Sequence, residues 1–207
     1  MIAIIDYKAG NLTSVKLALE YLGVPGEITR DPEVILGADR VIFPGDGAAG
    51  SAMEHLAELG LAEPLKAVVQ RGTPTLGICL GMQVVFDFSE EDGGVNCLGI
   101  VSGKVKRFRS ADPLCKIPQM GWNTMRFAQR HPLFDGVEDD SEFYFIHSYY
   151  PAPADRAHVM GETAYSDVTF ASAVGKGSLF ATQFHPERSG RIGIRLLKNF
   201  TEWDGTC

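Results

Sequence analysis

The sequence predicts an α/β protein with a mostly parallel central sheet, flanking helices and an antiparallel hairpin extension. In the first half, short apolar runs alternate with segments of helical periodicity, which is typical of a parallel sheet covered by helices on both faces. From residue 103 to residue 184 the pattern changes to closely spaced strands separated by turn residues, which indicates hairpins. With 207 residues, 45% of them hydrophobic, the chain can bury a substantial core, and we expect residues 1–207 to form a single domain.

The strands and the first helix of the parallel half are indicated by local patterns. Asn11 is a suitable N-cap for a helix that runs through residue 22 and stops at Gly23. Its apolar positions share one face, and they are Leu12, Val15, Leu19 and Leu22. The strand candidates are residues 2–6, 27–29, 40–44 and 75–79.

The second half contains strand patterns and a closing helix. Residues 175–177 supply a turn, and Ser189 or Gly190 opens a last helix over residues 191–202. No repeat or linker separates the two halves, so we expect them to share one sheet system. The strand candidates are residues 104–108, 122–127, 142–150, 159–165 and 170–184.

Composition excludes several classes of function. The net charge is −7 and the 19 basic residues are dispersed, so the chain lacks the positive surface that binds a phosphate backbone, and we expect no nucleic-acid partner. No apolar run approaches the roughly 18 residues of a membrane span, and residues 1–6 are typical of a first strand instead of a signal peptide. The cysteines show no C-x-x-C or zinc-ribbon spacing, and they are Cys79, Cys97, Cys115 and Cys207. We therefore expect a cytoplasmic protein with reduced thiols and no metal or other cofactor.

A nucleophile elbow is the sharpest local signal. Residues 77–81, G-I-C-L-G, follow an apolar strand and precede a helical pattern over residues 82–86. The strand-to-helix turn is so tight that side chains on either side of the nucleophile would collide, and glycine removes the clash. Cys79 would then stand at a helix N-terminus, where the dipole favours a thiolate. The pattern predicts a nucleophilic Cys79; the alternative is a small buried cysteine at the end of a central strand.

A thiol nucleophile requires a base, and one histidine has the right setting. His185 lies in residues 183–187, Q-F-H-P-E, after an apolar strand, and Glu187 could accept a hydrogen bond from its far ring nitrogen. His147 lies in an apolar strand, where it is either a hydrogen-bonded core histidine or part of a substrate pocket. The remaining histidines are predicted on the surface or in a turn, and they are His55, His131 and His158.

Acyl transfer also requires donors for a tetrahedral oxyanion. The N–H of Leu80, directly after the nucleophile, is one candidate. The other is the glycine-rich segment after the third strand, where Gly45, Asp46 and Gly47 could turn a backbone N–H toward the same point.

The same segment fits a competing motif. Residues 45–50, G-D-G-A-A-G, satisfy G-x-G-x-x-G, the pattern of a dinucleotide site. The motif follows the third strand instead of the first, and the acidic position about twenty residues on opens a helix instead of ending a strand. These two departures disfavour a dinucleotide site.

Together these residues resemble the triad-type (class I) glutamine amidotransferases, whose oxyanion loop, G-x-C-x-G elbow and H-P-E segment occur here in order and spacing. Within that class the chain is similar, over nearly its whole length, to the glutaminase subunits of imidazole glycerol phosphate synthases. The M-G-W-N and H-S-Y-Y blocks separate it from the glutaminases of anthranilate, carbamoyl phosphate or guanylate synthesis. The resemblance implies a flavodoxin-like fold, and it is carried by residues 6–12, 117–123, 143–150 and 183–190.

The resemblance also implies a role for each site residue. Cys79 would be the nucleophile, His185 the general base and acid, and Glu187 its orienting partner. The glutamine substrate would be held by Gln83, Glu91, Ser148 and Tyr149, with Glu91 facing the substrate ammonium. If the resemblance to the family is set aside, the sequence predicts that Glu91 is a solvated carboxylate at a helix end.

A partner protein follows from the same resemblance. Ammonia is mostly protonated at neutral pH, so it must be channelled, and this chain has no phosphate-binding loop to hold an acceptor. The implied partner is a barrel-shaped cyclase subunit that makes imidazole glycerol phosphate and aminoimidazole carboxamide ribotide in histidine biosynthesis. The shared face would include Gln119, Trp122, Tyr144 and Arg188. The partner's ligand would complete an oxyanion hole that is misaligned at rest.

Three positions depart from the family pattern, and other functions remain open. Lys8 stands where the family often has glycine, Gln119 where it usually has histidine, and Asp46 where the oxyanion loop usually has an apolar residue. The alternatives are a paralogous glutaminase that feeds a sugar-modifying synthase, a catalytically silent scaffold subunit, and a stand-alone thiol hydrolase. The complete Cys79, His185 and Glu187 set argues against a scaffold.

Overall fold

The structure is a computed structural model that describes residues 1–110 and 115–206. The strands of its first half are β1 (Ile2–Ile5), β2 (Gly26–Thr29), β3 (Arg40–Gly45) and β4 (Thr75–Cys79). The helices of this half are α1 (Leu12–Tyr21), α2 (Pro32–Gly37), α3 (Ala49–Glu58), α4 (Ala62–Gln70) and the short α5 (Leu80–Gln83). The four predicted strands and the first predicted helix are therefore confirmed.

The second half is rich in strands and ends in one long helix. Its strands are β5 (Phe88–Ser89), β6 (Val95–Asn96), β7 (Gly103–Arg107), β8 (Gln119–Phe127), β9 (Ser141–His147), β10 (Tyr149–Pro153), β11 (Val159–Tyr165), β12 (Val168–Lys176) and β13 (Leu179–Thr182). The closing helix is α6 (Gly190–Glu202). The predicted turn at residues 175–177 is confirmed, because β12 and β13 meet at Gly177, which has a φ of +56°.

A nine-stranded sheet of order β2-β1-β3-β4-β13-β12-β11-β8-β9 forms the centre of the described residues. Neighbouring strands are parallel from β2 to β13 and antiparallel from β13 to β9. This arrangement confirms the predicted α/β fold, with a parallel sheet that continues into antiparallel hairpins.

One strand prediction and the single sheet system need correction. The apolar run predicted as one strand over residues 142–150 is divided at Ser148 into β9 and β10. Strand β9 pairs with β8 in the large sheet, whereas β10 pairs with β7 in a second sheet of order β10-β7-β5-β6. Both strands are apolar, so periodicity could not reveal that the chain changes pairing partner between them.

Both faces of the large sheet are buried along its central strands β1, β3, β4 and β13. Along β1, Ala3 and Ile5 face one apolar cluster, and Ile2 and Ile4 face the other. Helices α3 and α4 cover the first face through Leu56, Leu65 and Val68. Helices α1 and α6 cover the second face through Val15, Leu19, Leu196, Leu197 and Phe200. The continuous apolar runs of the central strands follow from this double burial.

Three parallel strands end together, and this places the candidate site. Gly45 of β3 lies in register with Cys79 of β4, and on the other side Thr182 of β13 lies in register with Ile78. The loop after β3, the turn after β4 and the segment after β13 therefore meet at one edge of the sheet. Ligands of open α/β sheets bind at the carboxyl ends of the strands.

Within the described ranges, no helix is both long and apolar enough to cross a bilayer.

Candidate active site

Cys79 occupies a strained turn between β4 and α5. Its φ of 55° and ψ of −109° lie in a region that non-glycine residues rarely adopt, and such strain is typical of functional sites. A Cβ atom at Gly81 would lie 1.9 Å from the Phe43 carbonyl oxygen, and one at Gly77 would lie 3.0 Å from Ala181 Cβ. The predicted need for glycines on both sides of the nucleophile is confirmed. Helix α5 has only four residues, however, so its dipole gives less support to a thiolate than the sequence suggested.

His185 and Glu187 form a buried pair beside the elbow. The His185 Nδ1 atom lies 2.8 Å from Glu187 Oε1, and both side chains are almost fully enclosed. The carboxylate accepts a hydrogen bond from Nδ1–H, which leaves Nε2 available for proton transfer. Among the described residues, Nε2 makes no hydrogen bond of standard geometry. The orientation of His185 by Glu187, predicted from their spacing, has the geometry that it requires.

The charge state of His185 depends on its two neighbours. Burial lowers the pKa of this imidazole, but the negative charges of Cys79 and Glu187 outweigh burial and raise the pKa to about 10. Because Nε2 lacks a well-formed hydrogen bond, we assign the effect of Cys79 mainly to charge attraction across the pocket. The arrangement therefore favours a protonated His185 imidazolium at neutral pH.

One cavity of about 330 Å³ gathers most of the predicted site residues. Those that line it are Asp46, Gly47, Cys79, Leu80, Gln83, Glu91, Ser148, Tyr149, His185 and Arg188. Glu187 lies behind His185, and Gly45 lies beside Cys79 in the sheet. The cavity wall also contains four residues that were not predicted as site residues, namely Asn11, Pro118, Ile146 and His147.

Two side chains on the cavity wall are held in fixed positions. Glu91 Oε2 accepts a hydrogen bond of 2.7 Å from the Ala49 N–H, at the start of α3. Burial raises the pKa of Glu91, and the nearby Asp92 carboxylate raises it further, against the effect of the Ala49 hydrogen bond. Gln83 Nε2 donates to the Tyr149 carbonyl at 3.0 Å. Glu91 is thus a half-buried carboxylate of the pocket, and not the solvated helix-end residue of the alternative interpretation.

Carboxylates also occupy the place that a dinucleotide would need. Besides the Glu91 contact, Asp92 Oδ2 accepts a hydrogen bond of 3.1 Å from the Gly50 N–H. The first N–H groups of α3, which would hold a pyrophosphate, are therefore engaged by two negative side chains. The dinucleotide interpretation of residues 45–50 is not supported.

The three departures from the family pattern have structural consequences. Lys8 has a φ of 65°, a conformation that explains the frequent glycine at this position, and its ammonium pairs with Glu58 at 3.1 Å. The carboxylate of Asp46 accepts a hydrogen bond of 2.8 Å from the Gly10 N–H. This bond fixes residues 45–47, the predicted oxyanion loop, against the loop that follows β1.

Gln119 is the one predicted partner-facing residue that the structure contradicts. Its side chain is only 2% exposed, and neither amide atom has a hydrogen-bond partner among the described residues. Alternate residues of a strand face opposite sides, so Gln119 points inward while Met120 and Trp122 point outward. The other three residues do form a cluster, in which Trp122 and Tyr144 meet edge to face at 6.1 Å and the Arg188 guanidinium lies 4.6 Å from the Tyr144 ring centre.

Two buried polar residues support the site although no role was predicted for them. Gln183 is fully buried, its Nε2 lies 3.7 Å from Cys79 Sγ, and its Oε1 accepts a 3.0 Å hydrogen bond from Gln83. Ser189, predicted only as a possible start of α6, uses its hydroxyl to donate to the His185 carbonyl at 2.6 Å. Both lie in the segment that contains His185, but an amide or a hydroxyl carries no signal of catalysis in one sequence.

His147 combines the two roles that the sequence left open. Its Nδ1 atom lies 2.7 Å from the Tyr149 carbonyl, and burial lowers its pKa to about 4, so the ring is neutral. It also lines the cavity. The other histidines, His55, His131 and His158, are not part of the cavity wall that the described residues form.

The fold, the Cys79 elbow and the buried His185–Glu187 pair are together typical of a thiol amidohydrolase. Comparison with known proteins identifies the family of amidohydrolases. The sequence profile of the class-I glutamine amidotransferases matches residues 3–203. The chain therefore belongs to this family.

Within this family, the chain is similar in sequence to one kind of subunit among the curated relatives compared. The protein named imidazole glycerol phosphate synthase subunit HisH from Dehalococcoides mccartyi is 50% identical over 200 residues, which are 97% of this chain and 96% of the relative. The HisH subunit from Desulfovibrio desulfuricans is 51% identical over 211 residues, covering 98% and 94%. The resemblance to this subunit family is confirmed.

Solved structures agree on the fold. A glutamine amidotransferase crystal structure superposes with a TM-score of 0.74 at 19% identity, covering 98% of each chain. The structure titled PurLQS from Thermotoga maritima gives a TM-score of 0.74 at 18% identity, covering 97% of each chain. At such low identity the likeness concerns the fold alone.

Proposed function

We propose that residues 1–207 form a single cytoplasmic domain that acts as the glutaminase subunit of an imidazole glycerol phosphate synthase. It hydrolyses L-glutamine to glutamate and ammonia and passes the ammonia to a cyclase subunit in histidine biosynthesis. The observation that carries this proposal is the meeting of the Cys79 elbow and the His185–Glu187 pair at one cavity, in a chain about half identical to HisH subunits.

The reaction begins with attack by the Cys79 thiolate on the side-chain amide carbon of glutamine. The carbonyl oxygen becomes an oxyanion, which the Leu80 N–H and an N–H of residues 45–47 stabilise. When the C–N bond breaks, His185 gives its Nε2 proton to the leaving nitrogen, so ammonia departs and a thioester remains. His185 then takes a proton from water, the hydroxide attacks the thioester, and glutamate leaves as the Cys79 thiolate is restored.

Glu187 acts through His185. By accepting a hydrogen bond from Nδ1–H, with Nδ1 and Oε1 2.8 Å apart, it keeps Nε2 aimed into the cavity and stabilises the charged imidazolium. Ser189 supports the same geometry from the backbone side, since its hydroxyl joins the His185 carbonyl to the Tyr144 N–H. The base is thus positioned from both its ring and its main chain.

Substrate recognition is assigned to the opposite wall. A free amino acid carries an ammonium group, and Glu91 is a fixed carboxylate that lines the cavity. Gln83 and the main chain at Ser148 and Tyr149 close the pocket around the rest of the molecule.

The role of Glu91 predicts a change in KM. Glu91→Gln should raise the KM for glutamine roughly 10- to 100-fold, the range for losing a hydrogen bond to a charged group, with a smaller effect on kcat. Because the pKa of Glu91 is raised, wild-type KM should increase as the pH falls through that pKa, at a higher pH than for an ordinary glutamate. Steady-state glutaminase assays from pH 4 to pH 8 measure both effects.

Asp92→Asn is the matched control for Glu91→Gln. Asp92 also binds an N–H of α3, but it does not line the cavity. Its KM should stay within about twofold of wild type. Equal KM values for the two variants would show that Glu91 acts only on α3 and would remove it from the substrate site.

The cyclase surface is assigned to the exposed cluster of Trp122, Tyr144 and Arg188, with Met120 beside it. Trp122 is 55% exposed and Met120 is 63% exposed, which is unusual for such large apolar side chains. Aromatic residues, methionine and arginine are enriched at protein interfaces. Arg188 also lines the cavity, so the cluster continues into the site where ammonia forms.

Asp46 is expected to control the resting rate. Removing its bond to Gly10 by Asp46→Val should raise glutamine hydrolysis without the partner's ligand, by roughly tenfold, and leave glutamine binding similar. Asp46→Asn keeps an acceptor oxygen, so its basal rate of glutamine hydrolysis should lie between those of wild type and Asp46→Val. The measurement is the ratio of stimulated to basal turnover. If Asp46→Val leaves that ratio unchanged, the loop does not control the rate.

The proposed function is tested by measuring glutamine hydrolysis with and without the cognate cyclase and its phosphoribulosyl formimino carboxamide ribonucleotide. We expect stimulation mainly in kcat, since an oxyanion donor acts in the transition state. Stimulation by a sugar-modifying synthase instead would indicate the paralogous glutaminase. Tight binding of the cyclase without hydrolysis would indicate a silent scaffold.

A further inference from the structure

The hydroxyl group of Tyr7 is buried without a hydrogen-bond partner. Tyr7 lies just after β1 and is 0% exposed, and its ring packs on Phe43 with a centroid separation of 5.1 Å. Among the described residues, none accepts from or donates to the hydroxyl. Buried hydroxyls are almost always paired because an unpaired one is costly, and a phenylalanine would fill the same space without that cost. The hydroxyl therefore calls for an explanation beyond packing.

The position of this hydroxyl points to the oxyanion loop. A Cβ atom at Gly45 would lie 2.1 Å from the Tyr7 hydroxyl oxygen, 2.9 Å from Leu80 Cβ and 3.0 Å from the Gly81 nitrogen. The hydroxyl thus rests against the main chain of Gly45, in the space between the oxyanion loop and the elbow. Tyr7 does not line the cavity, so it does not touch the substrate.

The loop has an anchor on its other side. Asp46 is held by the Gly10 N–H at 2.8 Å, and Gly10 and Gly47 have φ values of +101° and +94°. A peptide group carries its N–H and its C=O on opposite sides. If the N–H of Asp46 turns toward the oxyanion, the Gly45 carbonyl turns away from it and requires a donor of its own.

We propose that Tyr7 is a positioning residue for the oxyanion loop. Its hydroxyl donates to the Gly45 carbonyl in the arrangement that presents the Asp46 N–H to the oxyanion, and the Asp46–Gly10 bond holds the resting arrangement. This inference rests on the proposed function and deepens it.

The chemistry of the hydroxyl suits this role. Burial raises the pKa of Tyr7, and the negative charges of Cys79 and Asp46 raise it further. The group therefore remains protonated and available as a donor throughout the working pH range.

The test is Tyr7→Phe, assayed in complex with the cyclase and its saturating ribonucleotide. We expect kcat for glutamine to fall roughly 5- to 30-fold, the effect of one hydrogen bond, with KM within about twofold of wild type. The Tm should stay the same or rise, because the variant loses a hydroxyl that is unpaired at rest. Tyr21→Phe is the matched control, since the Tyr21 side chain is 80% exposed, and it should match wild type in all three measurements.

The outcomes separate this inference from the function on which it rests. An unchanged kcat in Tyr7→Phe would overturn the inference while leaving the glutaminase function intact. A lower kcat with a lower Tm would also overturn it, because the hydroxyl would then have a structural partner. If the wild-type complex itself fails to hydrolyse glutamine, the proposed function fails and this inference fails with it.

Discussion

Cys79→Ala should abolish glutamine hydrolysis, with a loss of roughly 10⁵-fold or more, because no other described residue that lines the cavity has a thiol to form the thioester. The substitution removes only the sulfur from a buried position, so the fold and the cyclase complex should persist. Glutaminase turnover and gel filtration with the cyclase measure the two effects. Full activity in Cys79→Ala would end the assignment of the nucleophile.

Covalent labelling gives the same prediction an independent test. A glutamine-derived diazo-ketone should modify Cys79 and none of Cys97, Cys115 or Cys207. Burial raises the pKa of Cys97 to about 11, so that thiol is protonated and unreactive at neutral pH. Cys115 is outside the cavity, and Cys207 lies outside the described residues. Cys97→Ala is the matched control and should be labelled as wild type is. Peptide mapping that finds the label elsewhere would refute the assignment.

His185→Ala should lose roughly 10⁴-fold in kcat, the upper range for a general acid–base group, and still bind the cyclase. Glu187→Gln should lose less, roughly 100-fold, because the ring is then poorly oriented but the base remains. Single-turnover assays of thioester formation measure both losses directly. Equal and small losses in the two variants would mean that the proton is handled by another group.

The pH profile gives a further measure of the pair. With a pKa of about 10, His185 is protonated at neutral pH, and kcat should fall as the pH rises through 10 because the ring can no longer protonate the leaving nitrogen. Cys79→Ser replaces the thiolate with a neutral hydroxyl, so the pKa of His185 should decrease toward its usual value. Titration of the imidazole by NMR in the two proteins measures this decrease. An unchanged pKa would show that Cys79 carries no charge near the ring.

The residues proposed for catalysis could be selected from the sequence because their signals are local. Two glycines around Cys79 and an acid two positions after His185 leave few other interpretations in so short a stretch of sequence. Ser189 and Gln183 were not predicted as supports, because their importance arises from burial and from partners that lie far away along the chain. Tyr7 was not predicted to have a role for the same reason. Only the close approach of its hydroxyl to Gly45, which the fold creates, indicates that role.

Strand phase explains the error at Gln119. Residues an odd number apart in a strand face opposite sides, so Gln119 and Trp122 could not both have faced a partner from β8. The predicted strand began at residue 122, whereas β8 begins at Gln119, so strand phase could be applied to Gln119 only with the observed strand bounds. The division of residues 142–150 at Ser148 was different, because the pairing partners of β9 and β10 are set by the whole fold and leave no local trace.

The parallel pairing of β4 with β13 also determines the stage of synthesis at which the site can form. Gln183, which touches the Cys79 sulfur, follows that cysteine by 104 residues. At ribosomal rates of about 5–20 residues per second, β13 is made roughly 5–20 seconds after β4. Contacts over such separations form late and slowly in folding. During synthesis the thiol therefore has no imidazole beside it, and by the proposed mechanism a nascent chain cannot hydrolyse glutamine before β13 has joined the sheet.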